Sequence, residues 1–268
     1  MKKLIFSLIS LTMIFVLAAC GGGNEEEANG ASGLDAIKER DKLIVGVKYD
    51  TKLFGLQDPS TKEVEGFDID IAKEIAKEIL GDESKIELKE VTSKTRIPML
   101  NNGEIDAIIA TMTITEERKK EVNFSDVYFN AGQSLLVKKG SPIKSIDDVG
   151  ADTTVLAVKG STSSINIREK APDATLLEFE NYQEAFLALK AGQGDTLTTD
   201  NAILYGMAQQ DNNYEVVGDT FTDEPYGIAI KKGNDDLTEA INEVLNKLKE
   251  SGKYDEIYEK WIGEKPKN

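Results

Sequence analysis

The chain has 268 residues, of which 40% are hydrophobic, so it is long enough for one large or two modest domains with a buried core. Its formal net charge of −16 argues against a nucleic-acid partner, because phosphates are bound by basic surfaces. Histidine is absent and Cys20 is the single cysteine, which excludes Ser-His and Cys-His nucleophiles and removes the commonest metal ligand.

The N-terminus has the pattern of a secretory signal. After a positively charged start, residues 4–17 are mostly apolar, a run too short for a comfortable membrane span. Residues 17–20 read Leu-Ala-Ala-Cys, which resembles the lipobox of bacterial lipoproteins. We therefore predict a signal peptide over residues 1–19, a lipidated Cys20 and a flexible tether over 20–33. An ordinary cleaved signal is the alternative.

From residue 34 onward, strand and helix patterns alternate. The segment 67–81 places isoleucines on one helical stripe and ends at Gly81, which predicts a helix. Residues 93–103 predict a short helix, and the segments KLIVGVK, KIELKEV and EIDAIIATM predict strands. This β-α-β-α-β order is typical of a mainly parallel, doubly wound sheet.

A second unit of the same kind follows without a long linker. Its predicted strands and helices alternate from TTVLAVKG to EVVG, and a strand over 224–233 and two amphipathic segments close the chain. We therefore predict an α/β fold with two doubly wound lobes, joined by a two-strand hinge around a cleft. The expected bounds are 34–128 plus 227–268 for lobe 1, 132–221 for lobe 2, and 128–133 and 220–226 for the hinges.

Hydroxyl side chains and an arginine follow the third strand of the first unit, in the segment ATMTITEERKK. Thr115 is predicted to cap a helix whose first turn contains Arg118. A carboxylate bound there would meet free backbone N–H groups, the hydroxyl of Thr113 and a guanidinium. The alternative is a capped surface helix in which Arg118 pairs with Asp126 or Glu121.

Two strand ends of the second unit carry similar polar groups. The segment VKGSTSS, residues 158–164, places glycine and hydroxyl residues between a strand and a helix, which suits either an anion nest or a simple cap. Asp200 ends the strand DTLTTD. It is expected either to cap the helix that begins at Asn201 or to receive an ammonium group. Open α/β sheets bind their ligands at such strand ends.

Five motifs, taken together and in this order, resemble the polar amino-acid-binding proteins of bacterial ABC importers, which are family 3 of the solute-binding proteins. The motifs are EGFDIDIAKEIAKEI, RIPMLNNGEIDAIIATMTITEERKKEVNFSDVYF, VKGSTS, TTDNAI and YGIAIKKGN. The resemblance covers roughly residues 43–261 and is strongest to the glutamine, glutamate and aspartate binders of Gram-positive bacteria. It implies a type II periplasmic-binding-protein fold.

The resemblance also implies a role for individual residues. Thr113 and Arg118 would grip the α-carboxylate of an amino acid, Asp200 would take its α-ammonium, and Phe67 would pack on its aliphatic part. The turn from the second lobe would close on the same carboxylate through Ser161, Thr162 and Ser163. Two positions depart from the family pattern, because Thr111 replaces a common glycine and Ser163 stands where some relatives have glycine.

The side-chain end of the ligand is expected to meet cations, for which Lys48, Arg96 and Lys159 are the candidates. Two cations there would favour glutamate or aspartate over glutamine, although relatives with these residues are often glutamine binders. We therefore predict a slight preference for glutamate. The alternatives are solvated surface charges for Lys48 and Lys159 and a helix-face ion pair for Arg96.

These features predict a lipid-anchored receptor on the extracellular face of the cell membrane, which captures a free L-amino acid and delivers it to an ABC permease. Neither a metal nor a cofactor is expected, nor is enzymatic activity. A dehydratase-like enzyme on the same fold, with a carboxylate such as Asp200 as its acid or base, is one alternative. A sensory ligand-binding module and an adhesin or surface antigen are the others.

Overall fold

The computed structural model describes residues 33–263. The predicted signal peptide, Cys20 and the predicted tether up to residue 32 lie outside the described residues. Across residues 33–263, no helix combines the length and the apolar character needed to cross a membrane.

Strands and helices are interspersed along the whole described chain. Up to the first crossing between lobes, the elements are α1 (Leu34–Arg40), β1 (Leu43–Val47), β2 (Asp50–Thr51), β3 (Gly55–Gln57), β4 (Val64–Glu65), α2 (Phe67–Leu80), β5 (Ile86–Glu90), α3 (Arg96–Asn101), β6 (Ala107–Ile108), α4 (Glu116–Glu121) and β7 (Val122–Phe124). They are followed by β8 (Phe129–Ala131), β9 (Gln133–Lys138), a 3₁₀ turn (Ile146–Asp148), β10 (Thr154–Val158), α5 (Thr162–Lys170), β11 (Thr175–Phe179), α6 (Tyr182–Lys190), β12 (Thr196–Asp200), α7 (Asn201–Gln210), β13 (Tyr214–Val217), β14 (Glu224–Tyr226), β15 (Ala229–Lys231), α8 (Asp235–Ser251) and α9 (Lys253–Ile262).

Two five-stranded sheets form the centres of two lobes. The sheet of lobe 1 has the order β5-β1-β6-β15-β7, and the sheet of lobe 2 has the order β11-β10-β12-β9-β13. In each sheet three neighbouring strands pair in parallel, and the next strand, β15 or β9, runs in the opposite direction. The predicted α/β fold with two doubly wound lobes is therefore confirmed.

The chain passes between the lobes twice, through β8 and through β14. These strands pair with each other in an antiparallel ribbon, in which Phe129 lies opposite Tyr226 and Ala131 opposite Glu224. Lobe 1 is consequently built from both ends of the described chain, because β15, α8 and α9 return to it after the second crossing. The two crossings make the two-strand hinge of this fold.

Two strands predicted from the sequence differ in the structure. The strand predicted over 224–233 is divided into β14 and β15, because the chain leaves the hinge ribbon and joins the sheet of lobe 1. The strand predicted over 104–112 is shortened to β6. Thr111 has a φ of 47°, a left-handed conformation that ends the extended geometry just beyond this strand.

An aromatic cluster underlies the hinge. Phe54, Phe67 and Tyr226 pack around Phe129, with ring centroids 5.1 to 5.6 Å from it. The loop that carries Phe54 is held close to the start of α2 by Gly66, whose φ is 153°; a Cβ at that position would lie 2.0 Å from the carbonyl oxygen of Phe54. The cluster therefore ties the hinge strands to the first helix of the sheet.

Candidate functional site

The segment after β6 places an arginine at the boundary between the lobes. Thr115 caps α4, as predicted, because its hydroxyl accepts a hydrogen bond from the backbone N–H of Arg118. The Arg118 guanidinium donates to the carbonyl of Thr113 at 2.8 Å and, across the cleft, to the carbonyl of Gly160 in lobe 2 at 3.2 Å. It thus faces the cleft rather than an acid on its own helix.

The turn before α5 meets this segment from lobe 2. Ser161 caps α5, and its own hydroxyl donates to the carbonyl of Val158 at 2.7 Å. The Thr162 hydroxyl lies 3.4 Å from the hydroxyl of Thr113 and donates to Glu224 at 2.8 Å. Since its proton is committed to Glu224, Thr162 accepts from Thr113 across the cleft.

Ser163 lies deeper in lobe 2. Its hydroxyl is 3.4 Å from that of Thr199, and the residue is 1% exposed. Its backbone carbonyl accepts from the Gln133 amide at 3.1 Å. The hydroxyl of Ser163 therefore supports the turn from within its own lobe.

Asp200 is a buried carboxylate with one free acceptor. It precedes α7, but its side chain makes no capping hydrogen bond, so the simple N-cap interpretation is wrong. Tyr226 donates to Oδ2 at 2.5 Å, whereas Oδ1 has no hydrogen-bond partner among the described residues. Burial, with a smaller contribution from Glu224, raises the pKa of Asp200 to about 7. A cationic donor at Oδ1 would satisfy the carboxylate and favour its ionised form.

Two further cations are buried in lobe 1. Lys48 is 1% exposed; its Nζ lies 3.1 Å from the Ser93 hydroxyl and 5.2 Å from the ring centre of Tyr182 in lobe 2. Arg96 is 2% exposed and donates to the carbonyl of Ala110 at 2.8 Å, while its Nε has no partner among the described residues. The interpretations of Lys48 as a surface charge and of Arg96 as part of a helix-face ion pair are therefore wrong.

Burial governs the ionisation of both cations. It lowers the pKa of Lys48 to about 8, against the opposing effect of Asp50. It lowers the pKa of Arg96 to about 9, and the neighbouring charge of Arg118 adds to this effect. Both groups would gain from a polar or anionic ligand group that replaces the lost hydration.

The structure does not bring every predicted site residue into this cluster. The Lys159 side chain is 41% exposed and pairs with Glu180 on the surface of lobe 2. Phe67 is fully buried among the hinge aromatics, with its ring 6.2 Å from that of Tyr128. Thr111 has a left-handed backbone conformation, and its backbone N–H donates to Asp68. Thr111 therefore contacts a residue of its own lobe.

Sequence reasoning missed two carboxylates and a tyrosine. Asp68 is fully buried and accepts from Thr111 N at 3.1 Å and from the Tyr128 hydroxyl at 2.9 Å. Glu224 is 2% exposed and accepts from Thr162, Asn166 and Thr222. Tyr182 covers Lys48 from lobe 2. In the sequence, Asp68 has the position of an ordinary acid in the first turn of a helix. The local sequence around Glu224 and around Tyr182 gives no signal of a binding role.

The cluster combines balanced charges with unused hydrogen-bonding groups. The cations Lys48, Arg96 and Arg118 are matched in number by the carboxylates Asp68, Asp200 and Glu224, all of which are buried except the half-buried Arg118. The half-buried Asp50 adds a further negative charge close to Lys48. Buried charges of this kind require partners, since each has lost its hydration. Asp200 Oδ1 and Arg96 Nε remain as one free acceptor and one free donor. Such a site suits a small molecule that carries both a cationic and an acceptor group.

We predict that Asp200→Asn raises the stability of the protein in the absence of an amino acid. Because the folded-state pKa is raised, the stabilising contribution of Asp200 is complete below its ordinary value and is lost as the pH rises through about 7. Asparagine cannot ionise, so urea unfolding at about pH 8 should show a gain on the order of a few kcal/mol that shrinks towards about pH 4. Exposed Asp173, changed to Asn, is the control, and an Asp200→Asn effect that is independent of pH would contradict the assignment.

Comparison with known proteins identifies the family of the chain. A family model described as "Bacterial extracellular solute-binding proteins, family 3" matches residues 43–264. The ABC transporter glutamine-binding protein GlnH of Bacillus subtilis (strain 168) is 67% identical over 271 residues, which cover 99% of each chain. The glutamine-binding protein of Geobacillus stearothermophilus is 65% identical over 84% of this chain and 90% of its own.

A solved structure also resembles the chain over most of its length. An ancestral arginine-binding protein bound to glutamine matches with a TM-score of 0.79 and 46% identity, over 84% of this chain and 99% of that one. Both the sequence relatives and this structure match over most of their own length. The chain therefore belongs to the bacterial extracellular solute-binding proteins of family 3 and serves as the substrate-binding component of an ABC transporter.

Proposed function

We propose that the chain binds L-glutamine between its lobes and delivers it unchanged to a membrane permease. The observation that carries the choice of ligand is the balanced charge of the buried cluster. The sequence analysis predicted a slight preference for glutamate because it considered the charges of Lys48 and Arg96 alone. Asp68 lies close enough to interact with both of these cations. A neutral zwitterion keeps the cluster balanced, whereas glutamate adds an uncompensated buried negative charge. The names of the two relatives with the highest identity given above support the same choice.

The head group of the amino acid fits the charges at the lobe boundary. Arg118 would receive the α-carboxylate together with backbone N–H groups of the turn that begins at Ser161, and the hydroxyl of Thr113 would turn its proton from Thr162 to the same carboxylate. Asp200 would receive the α-ammonium at its free Oδ1. These contacts come from both lobes, so the ligand binds the closed form better than the open form and shifts the population towards it.

The side chain of glutamine fits the cations of lobe 1. An amide offers an acceptor oxygen and a donor nitrogen, so it can engage Arg96 or Lys48 through one atom and a carboxylate such as Asp68 through the other. Glutamate would offer acceptors alone. In this proposal Lys159, which pairs with Glu180 at the surface, makes no ligand contact.

The membrane connection is proposed from the N-terminal sequence. Lipid on Cys20 would hold the folded body on the extracellular face of the membrane, and the tether up to residue 33 would leave the cleft free to open and close. The moving segments are proposed to be the β8 and β14 crossings, since they connect the two sheets. The lobe and hinge bounds given above stay predictions of the sequence.

Calorimetry of residues 33–268 with glutamine, glutamate and aspartate tests the ligand. We expect glutamine to bind most tightly, with a Kd of about one micromolar from about 10 non-hydrogen atoms contributing about 0.8 kcal/mol each. Glutamine recovered after the titration should be chemically unchanged. Tighter binding of glutamate would overturn the charge-balance argument, and conversion of the ligand would favour an enzyme.

Arg118→Gln tests the head-group assignment. Loss of the guanidinium leaves the ligand carboxylate without its charge partner, so we expect the Kd for glutamine to rise by about tenfold or more. Arg168→Gln is the matched control, because Arg168 pairs with Glu178 on the exposed face of lobe 2. Equal affinities for the Arg118 variant and the unmodified chain would rule out this role.

Cys20→Ser tests the anchor. With the thiol removed no lipid can be attached, so the protein should move from the membrane pellet to the culture medium of a Gram-positive host. Immunoblots of both fractions measure the distribution. A variant that stays with the membrane would show that something other than Cys20 retains the protein.

A further inference from the structure

We propose that Gly206 and Asp50 form a closure latch between the lobes, so that they are positioning residues that govern how long the amino acid is retained. The latch is the contact between the loop of residues 50–54 in lobe 1 and the helices α6 and α7 in lobe 2. It rests on the proposed function in one respect, because it assumes that the lobes close on an amino acid.

Gly206 is the first observation. It lies inside α7, where glycine is the least favourable helical residue apart from proline, so its presence calls for a packing reason. A Cβ at this position would lie 2.6 Å from the carbonyl oxygen and 3.3 Å from the carbonyl carbon of Lys52, which belongs to the other lobe. Cβ atoms in proteins do not approach oxygen so closely. The absence of a side chain therefore allows the backbone of lobe 1 to rest against α7.

Asp50 supplies a directed bond beside this contact. Its Oδ2 accepts from the backbone N–H of Tyr182 at 2.7 Å, which is the first residue of α6. The first N–H groups of a helix have no partner within the helix, and a carboxylate there is also favoured by the helix dipole. A carboxylate of lobe 1 thus completes the N-terminus of a helix in lobe 2, which is possible only when the lobes are together.

The loop is shaped for this contact. Its Leu53 has a φ of 78°, a strained conformation for a leucine, and lines a groove with Ala202 and Tyr205 of α7. The other carboxylate oxygen of Asp50 accepts from the Thr51 hydroxyl at 2.9 Å, so both oxygens are used within the protein. Neither Asp50 nor the side-chain-free Gly206 is therefore needed to contact the ligand.

Gly206→Ala separates a latch from ordinary packing. Alanine favours a helix over glycine, so thermal unfolding without glutamine should show unchanged or higher stability of the variant. Its Cβ prevents full closure, so calorimetry should show a Kd for glutamine raised by about tenfold or more, mostly through faster dissociation in stopped-flow measurements. Glu169→Ala, at an exposed position of the helix α5 in the same lobe, is the control and should change neither quantity.

Asp50→Glu provides the second test, because it keeps the negative charge near Lys48 but displaces the carboxylate from the N–H of Tyr182. It should weaken glutamine and glutamate by the same factor, because it acts on closure and leaves the charge near the ligand side chain unchanged. A changed ratio of the two affinities would overturn the positioning role. So would a Gly206→Ala Kd within about twofold of the unmodified chain, or a loss of affinity accompanied by an equal loss of stability.

Different results would reject the latch and the proposed function. If the unmodified chain binds no glutamine, the proposed ligand is wrong. Glutamate or aspartate, whichever binds in the calorimetry, then still tests the latch, since Gly206→Ala should raise the Kd for that amino acid by about tenfold or more. A Kd within about twofold of the unmodified chain in that case would overturn the latch as well.

Discussion

The structure depends on the balance of charges that closure removes from water. Isolated buried charges are strongly unfavourable, so each cation of the cleft requires a partner that is itself held in place. Asp68 lies near Lys48 and Arg96, and Glu224 lies near Arg118. The buried cluster holds as many carboxylates as cations before a ligand enters, which supports the proposed preference for a zwitterion of no net charge.

The hinge region is hydrogen-bonded to one carboxylate of the cluster in each lobe. Tyr128, just before the first crossing strand, donates to Asp68 of lobe 1, and Tyr226, in the second crossing strand, donates to Asp200 of lobe 2. Both tyrosines belong to the aromatic packing beneath the cleft. Burial raises the pKa of both carboxylates to about 7, and the phenol hydrogen bonds oppose that rise. A change in hinge geometry would therefore act directly on two carboxylates of the proposed ligand site.

Much of the fold followed from local patterns in the sequence. The isoleucine stripe and Gly81 define α2, and the hydroxyl of Thr115 begins α4, because helix periodicity and capping are properties of a few neighbouring residues. The division of the strand over 224–233 was missed, since it depends on which sheet each half joins. For the site, strand-end positions led to Arg118 and Asp200.

The burial of Lys48 and Arg96 and the role of Asp68 could not be read from the sequence, because they arise where distant segments meet. An acid in the first turn of a helix is usually a solvated group, and only the fold shows Asp68 beneath two cations. Because the sequence analysis did not include the carboxylate of Asp68, it predicted a slight preference for glutamate. In a buried site the specificity depends on the sum of all charges, so a single carboxylate that no local pattern marks can change which ligand is expected to bind.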